Sequence, residues 1–280
     1  MGGAEAQCAA AARRAAAQRG GYVRINGVDL YAETAGAGEP VVVLHGGFCS
    51  LESLAPIAEA LAAEYRVHAY ERPGHGRSAD IAGEYDYDRG VSDALAFLDA
   101  HGLADAHVVG YSDGAIIGLL LAMRRPERVR SLTAISANLD PSAYDRDPEV
   151  NGPILPPLRR VDAAAGANPG PDRVSPERAA YERLSPDGRA HADAVWEKCV
   201  RLWTTEPHID PADLAGVAVP TLVLAGDRDT VRPLHTLRIA AALPNARLGL
   251  VPGTSHGLVD EKPEFVAALV RDFLAEAPRR

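Results

Sequence analysis

The sequence predicts an α/β fold, a mostly parallel, doubly wound sheet with helices on both faces and an inserted helical cap. Three observations carry this. Continuous apolar runs such as Val41-Val42-Val43-Leu44 and Leu222-Val223-Leu224-Ala225 are the pattern of strands covered on both faces. They alternate with segments of helical periodicity joined by short connections, as parallel strands with crossover helices require. Gly47, Ser112, Asp229 and His256 each follow directly on such a run, and ligands in open parallel sheets sit beyond the carboxyl ends of the strands.

The chain opens with residues 1–20, rich in Ala, Gly, Gln and Arg. They lack the apolar core of a signal peptide and are expected to form a disordered tail or a short helix around 9–18. Residues 22–25 and 28–34 read as two strands joined by Asn26-Gly27, a pair suited to the positive φ angles of a two-residue hairpin. A buried strand at 41–44 then runs into His45-Gly46-Gly47-Phe48. Two glycines there let the backbone turn its N–H groups toward a ligand, although a plain strand-to-helix loop has the same appearance. His45 is expected to be structural, and Cys49 a packing residue.

A helix is expected over 54–64 and a strand over 66–70. Glu71-Arg72-Pro73-Gly74-His75-Gly76-Arg77-Ser78 is a glycine-rich turn. His75 lacks an evident acid to hold it as a base. Residues 87–101 read as a helix with Val91, Leu95 and Leu98 on one face, closed by Gly102.

Val108-Val109-Gly110-Tyr111-Ser112-Asp113-Gly114-Ala115 is the stretch that organises the rest. A short strand enters it and a mostly buried helix leaves it. A serine on so sharp a turn is held in a strained backbone, clear of the chain and at the start of a helix, where N–H groups favour a developing negative charge. The N–H of Asp113 is the expected second half of an oxyanion hole, opposite the two-glycine loop after the strand at 41–44. The Asp113 side chain has two readings: hydrogen bonding to nearby loop groups, or attraction of a cationic substrate.

Another strand is expected over 128–136. The alternation then breaks, and 138–212 reads as a helical cap inserted over the sheet edge. It interrupts a core domain of 21–137 and 213–280. Within it, 178–184 and 188–204 look helical, with Trp196, Cys199, Val200 and Trp203 on one face. Phe48, Trp196 and Trp203 are candidate substrate-binding residues; the tryptophans fit equally as packing between cap and core. The sheet resumes at 220–225, ending in Gly226-Asp227-Arg228-Asp229, and after a helix at 233–243 its last strand, 247–251, runs into Pro252-Gly253-Thr254-Ser255-His256-Gly257. A helix over 263–275 closes the chain.

A serine hydroxyl needs a base to attack at neutral pH, and the imidazole needs a carboxylate to hold its tautomer. The order Ser112, Asp229, His256 is the chain order of this elbow type. Asp229 is preferred over Asp227 as the acid because it lies further past the strand, and Asp227 is expected to form the turn.

Composition bounds the rest. At 280 residues the chain suffices for one large domain or two small ones. A net charge of −9 argues against binding a nucleic-acid backbone. No apolar run is long enough to span a membrane. Cys8, Cys49 and Cys199 form no Cys-x-x-Cys pair, and three is an odd number, so a reducing cytoplasmic compartment is expected. The expected partner is a small-molecule substrate, and a homo-oligomer stays open.

The quoted motifs together resemble the α/β-hydrolase superfamily over residues 22–277, in its cap-bearing branch of esterases, lactonases, C–C hydrolases and cofactor-free perhydrolases. Glu71 stands where that family more often has aspartate. The resemblance implies Asp229 as the acid and Gly47, with Phe48 second, as the first oxyanion donor. It disfavours the epoxide-hydrolase and haloalkane-dehalogenase branches, whose nucleophile is aspartate. It implies hydrolysis of a carboxylic ester, thioester or lactone without metal or organic cofactor. C–C bond hydrolysis of a diketone-like substrate is the alternative on the same triad, and a non-catalytic ligand-binding protein the alternative of another class.

Overall fold

The computed structural model describes residues 19–145 and 175–277. Residues 1–18 of the expected tail, Cys8 among them, lie outside the described residues, as does 146–174 of the expected cap. Eight strands form one sheet: β1 (Arg19–Ile25), β2 (Val28–Gly36), β3 (Pro40–Leu44), β4 (Arg66–Tyr70), β5 (Ala106–Tyr111), β6 (Val129–Ile135), β7 (Thr221–Gly226) and β8 (Ala246–Val251). Their order across the sheet is β1-β2-β4-β3-β5-β6-β7-β8. The first two pairings, β1 with β2 and β2 with β4, are antiparallel, and all others are parallel. The hairpin turns at Asn26 and Gly27, both at positive φ, as the two-residue turn demands. β1 begins at Arg19, paired with Thr34, so the strand takes in two residues expected to belong to the tail.

The doubly wound layering follows from the side-chain period of two. On β3, Val42 and Leu44 enter one core and Val41 and Val43 the other. The first core is closed by α2 (Tyr87–Ala100), α3 (Asp113–Arg124) and α6 (Pro233–Ala242), through Val91, Phe97, Ile116, Leu119 and Ile239. The second is closed by α1 (Ala55–Leu61) and α8 (Pro263–Glu276), through Ile57, Leu61, Val266, Val270 and Phe273. The helix expected over 54–64 is shorter as an α-helix: Leu54 belongs to a 3-10 entry turn, Leu51–Leu54, capped by Ser50, and residues 62–64 form a turn beyond Leu61. A one-turn helix, α7 (Leu258–Glu261), stands before α8 and was not expected.

Between β6 and β7 the described part of the insert holds α4 (Pro176–Leu184) and α5 (Ala192–Thr205). Ser175 caps α4, its hydroxyl accepting from the Arg178 N–H, with Pro176 at the first position. The buried stripe of α5 is Ala192, Val195, Cys199 and Leu202. Of the four residues that the sequence places on one face of this helix, Cys199 is fully buried, whereas Trp196 and Val200 are 45% and 36% exposed. The insert is tied to the loop after β4. Asp80 accepts from Lys198 Nζ at 2.7 Å and from Tyr85 at 2.6 Å, with His191 Nε2 2.9 Å away.

Candidate active site

Ser112 lies between β5 and α3 at φ 52° and ψ −117°. Its N–H donates to Ile135 O at 2.8 Å, and its own carbonyl accepts from Ala115 and Ile116, which starts the helix. Any side chain at Gly114 would strike the Leu44 carbonyl, and one at Gly110 the Gly114 carbonyl. The tight turn therefore needs glycine on both sides of the serine.

His256 Nε2 is 3.1 Å from Ser112 Oγ, and its Nδ1 is 2.7 Å from Asp229 Oδ1. A proton on Nδ1 donates to the carboxylate and leaves Nε2 to accept from the serine. Asp229 is fully buried and receives further bonds from the Val231 N–H at 3.0 Å and the Ser136 hydroxyl at 2.6 Å. Burial raises its carboxyl, but the His256 charge and these hydrogen bonds outweigh that and hold it below the usual range. Burial likewise lowers the His256 imidazole, but Asp229, by charge and by hydrogen bond, and then Asp113 leave it above its ordinary value. Asp227 instead accepts from the Gly253 N–H at 2.8 Å and the Thr254 N–H at 3.3 Å and pairs with Arg228, joining the β7 and β8 loops.

The His256 loop is held at two further points. Tyr111 donates its hydroxyl to the His256 carbonyl at 3.1 Å. Glu261, in the unexpected α7, accepts from the Ser255 N–H at 2.8 Å and the Ser255 hydroxyl at 2.6 Å.

The loop after β3 lies against the serine: a Cβ on Gly46 would come 3.2 Å from Ser112 Cβ, and one on Gly47 2.6 Å from Asp113 Oδ2. Phe48 is buried under the insert, stacked on Tyr181 at 5.4 Å and edge-on to Trp196 at 5.3 Å. Trp203 is half-buried and donates Nε1–H to Asp113 Oδ1 at 2.8 Å. Asp113 also accepts from Arg72 Nη2 at 2.9 Å and the Tyr87 hydroxyl at 3.1 Å. Its carboxylate is thus engaged by protein donors, of which Arg72 comes from a loop and Tyr87 and Trp203 from helices rather than from the nearby loop groups expected.

His75 Nδ1 bonds Pro73 O at 2.8 Å, and its Nε2 lies 3.8 Å from Cys199 Sγ. Burial and then the Arg72 charge hold it well below the ordinary value. Burial pushes the Cys49 and Cys199 thiols up to about 12, away from thiolate chemistry. Among the described residues no cluster of three His, Cys, Asp or Glu is placed to hold a metal ion, and no helix is long and apolar enough to cross a membrane.

Sequence reasoning missed Ser136, Arg72, Tyr87 and Glu261. Ser136 had a signal, since it ends an expected strand just as Ser112 follows one. Arg72 had none, because its partner is 41 residues away.

An eight-stranded sheet of this order, with a serine elbow after its fifth strand and an insert after its sixth, defines the α/β-hydrolase class of fold. The α/β-hydrolase family model matches residues 41–269. The chain belongs to that family, and it is an enzyme of the hydrolase type. A protein named "Putative carbamate hydrolase RutD" from Azorhizobium caulinodans is 32% identical over 91% of this chain and 98% of its own length. The pimeloyl-[acyl-carrier protein] methyl ester esterase of Chromobacterium violaceum is 29% identical over 89% of this chain and 100% of its own. The crystal structure of the enol-lactonase from Burkholderia xenovorans LB400 superposes with a TM-score of 0.70 at 22% identity, covering 91% of this chain and 100% of that one.

Proposed function

We propose that this protein hydrolyses a carboxylic ester, thioester or lactone through an acyl-Ser112 intermediate. The observation that carries the proposal is the line from Asp229 through His256 to Ser112, at 2.7 and 3.1 Å. Ser112 Oγ attacks the substrate carbonyl carbon as its proton passes to His256 Nε2. Asp229 holds the imidazole in the required tautomer and stabilises the cation. The carbonyl oxygen takes up negative charge between the N–H groups of Gly47 and Asp113, at the start of α3, where the helix dipole favours it. The tetrahedral adduct collapses, the leaving oxygen or sulfur takes the proton from His256, and the acyl-serine remains. Water, deprotonated by the same imidazole, releases the acid and restores the serine. The insert serves as the cap, with Phe48, Trp196 and Trp203 on the substrate's approach.

The names of the relatives support acyl hydrolysis, since methyl ester and carbamate cleavage both begin with attack at a carbonyl carrying a leaving group. A reducing, cytoplasmic setting goes with this reading, because Cys49 and Cys199 carry free thiols.

The test is intact-protein mass spectrometry after exposure to a fluorophosphonate, with Ser112→Ala alongside. One adduct on the wild type and none on the variant is expected. p-Nitrophenyl esters, lactones, aryl carbamates and a vinylogous 1,5-diketone then divide ester from carbamate and C–C hydrolysis. Ser112→Ala should lower kcat/KM on the best of these by at least about 1,000-fold. A folded wild type that takes no label overturns the proposal in favour of a binding role.

A further inference from the structure

Asp113 follows the nucleophile and is 1% exposed. A carboxylate so buried requires partners. Its three come from distant parts of the chain: Arg72 from the loop after β4, Tyr87 from the start of α2, and Trp203 from the cap helix α5. Arg72 neutralises its charge, so the carboxylate is poorly placed to attract a cationic substrate.

The same residues also reach Gly47. A Cβ built there would come within 2.5 Å of Trp203 Cζ2 and 2.6 Å of Asp113 Oδ2, so indole and carboxylate both rest on the Gly47 backbone. Arg72 acts on that glycine from another direction. Its backbone N–H donates to His45 Nε2 at 2.9 Å, which leaves the His45 proton on Nδ1, where it donates to Gly46 O at 2.7 Å. The Gly46 carbonyl and the Gly47 N–H belong to one planar peptide, so fixing the oxygen fixes the direction of the N–H. Burial, with the Arg72 charge, lowers His45 to about 3, which keeps it neutral in this role.

We infer that the Asp113 side chain is a positioning group: with Arg72 and Trp203 it sets the spacing between the Gly47 and Asp113 N–H groups and couples that spacing to the seating of the cap helix. The inference rests on the acyl-Ser112 reading. An oxyanion hole stabilises charge only when its donors meet the oxygen at about 2.7–3.1 Å. The Trp203 N–H is the cap's bond to this assembly and its ring is one wall of Gly47. A cap that lifts takes both away, so the hole is competent when the cap is seated.

The test uses the full chain, with Trp203→Phe, which keeps an aromatic ring and removes the N–H, and Asp113→Asn, which keeps the shape and removes the charge. Four quantities are measured: kcat and KM on p-nitrophenyl butyrate, Ki for an alkyl trifluoromethyl ketone, and the rate of fluorophosphonate labelling. The ketone adds Ser112 Oγ to its carbonyl carbon, passes the serine proton to His256 and puts an oxyanion in the hole. For Trp203→Phe, kcat should fall about 10- to 100-fold with KM within about threefold of the wild type. Ki should rise by the factor that kcat/KM loses. Asp113→Asn should lose at least as much; if it does not fold, Trp203→Phe decides alone. A Trp203→Phe protein with wild-type kcat and Ki, or with a loss confined to KM, overturns the inference. A wild type that takes no label overturns the acyl-serine reading and this inference with it. A labelled wild type whose Trp203→Phe variant labels at the same rate overturns the positioning role alone.

Discussion

The Ser136 hydroxyl donates to Asp229 Oδ2 at 2.6 Å, the oxygen that His256 does not use. Ser136 sits just past β6 at φ 56°, a conformation rare for a residue with a side chain. Its N–H is fixed by Leu224 O at 2.7 Å. A strained residue is thus spent on holding the carboxylate from behind.

Ser136→Ala should therefore lower stability at neutral pH by about 1.5–3 kcal/mol, the scale of a hydrogen bond to a charged group. The sign of the pH dependence follows from Asp229, whose carboxyl is lower in the folded state than in the unfolded chain. Its contribution is present above the unfolded value and lost as pH falls through the folded one. The gap between wild type and variant should be full near neutrality and close as the carboxyl is protonated. Urea unfolding across acidic pH measures it, and a gap independent of pH would count against this role.

Ser112 offers a second test of strain. Ala normally exceeds Gly in stability, because glycine loses more backbone entropy on folding. At φ 52° the order should invert. Both Ser112→Ala and Ser112→Gly lose the bond to His256, and the serine side chain makes no capping bond to α3. The difference between the two variants therefore isolates the backbone. Ser112→Gly should be the more stable by roughly 0.5–2 kcal/mol, the strain released less the entropy lost. Thermal unfolding of the pair decides it.

Much of the fold was legible because strands and helices write their burial into sequence. Val41 to Leu44 and Leu222 to Ala225 read as buried strands, and both are. The residues that the structure gathers at Ser112 were legible because each follows a strand, and parallel strands deliver their ends to one edge. Between the two aspartates, the one further past β7 reaches His256, while Asp227 stays in the turn. Side-chain partnerships across the chain left no such trace. Trp203 lies 90 residues from Asp113 and Arg72 lies 41 from it. No local period encodes those contacts. The sequence left open whether the α5 tryptophans pack or line a pocket, and the buried residues of that helix are the small and aliphatic Ala192, Val195, Cys199 and Leu202.

The Arg72–Asp113 pair should behave as a buried ion pair whose halves depend on each other. Its side chains are 9% and 2% exposed. Arg72→Met strands the Asp113 charge and should cost about 3–5 kcal/mol. Asp113→Asn made in that background should recover part of the loss, although the same change in the wild type is destabilising. A double-mutant cycle by chemical denaturation gives the coupling, and additive losses would mean the two charges do not compensate each other.

His256 sets opposite pH trends for activity and stability. It acts as a base only when neutral, and burial lowers its value less than Asp229 and Asp113 raise it. The acid limb of kcat/KM should therefore lie above about 6.5, the ordinary imidazole value. A histidine raised on folding contributes stability that is complete below its unfolded value and lost as pH rises through the folded one. Over that window the enzyme should gain activity while it loses part of its stability. Asp229→Asn removes the largest group raising the imidazole, so it should move the acid limb down and flatten the stability trend. It should also cut kcat by roughly 1,000- to 10,000-fold, because the amide no longer enforces the tautomer that accepts the serine proton. A pH–rate profile and unfolding curves on both proteins test the trends together. An acid limb that stays in place in Asp229→Asn would mean that Asp229 is not what holds the His256 proton.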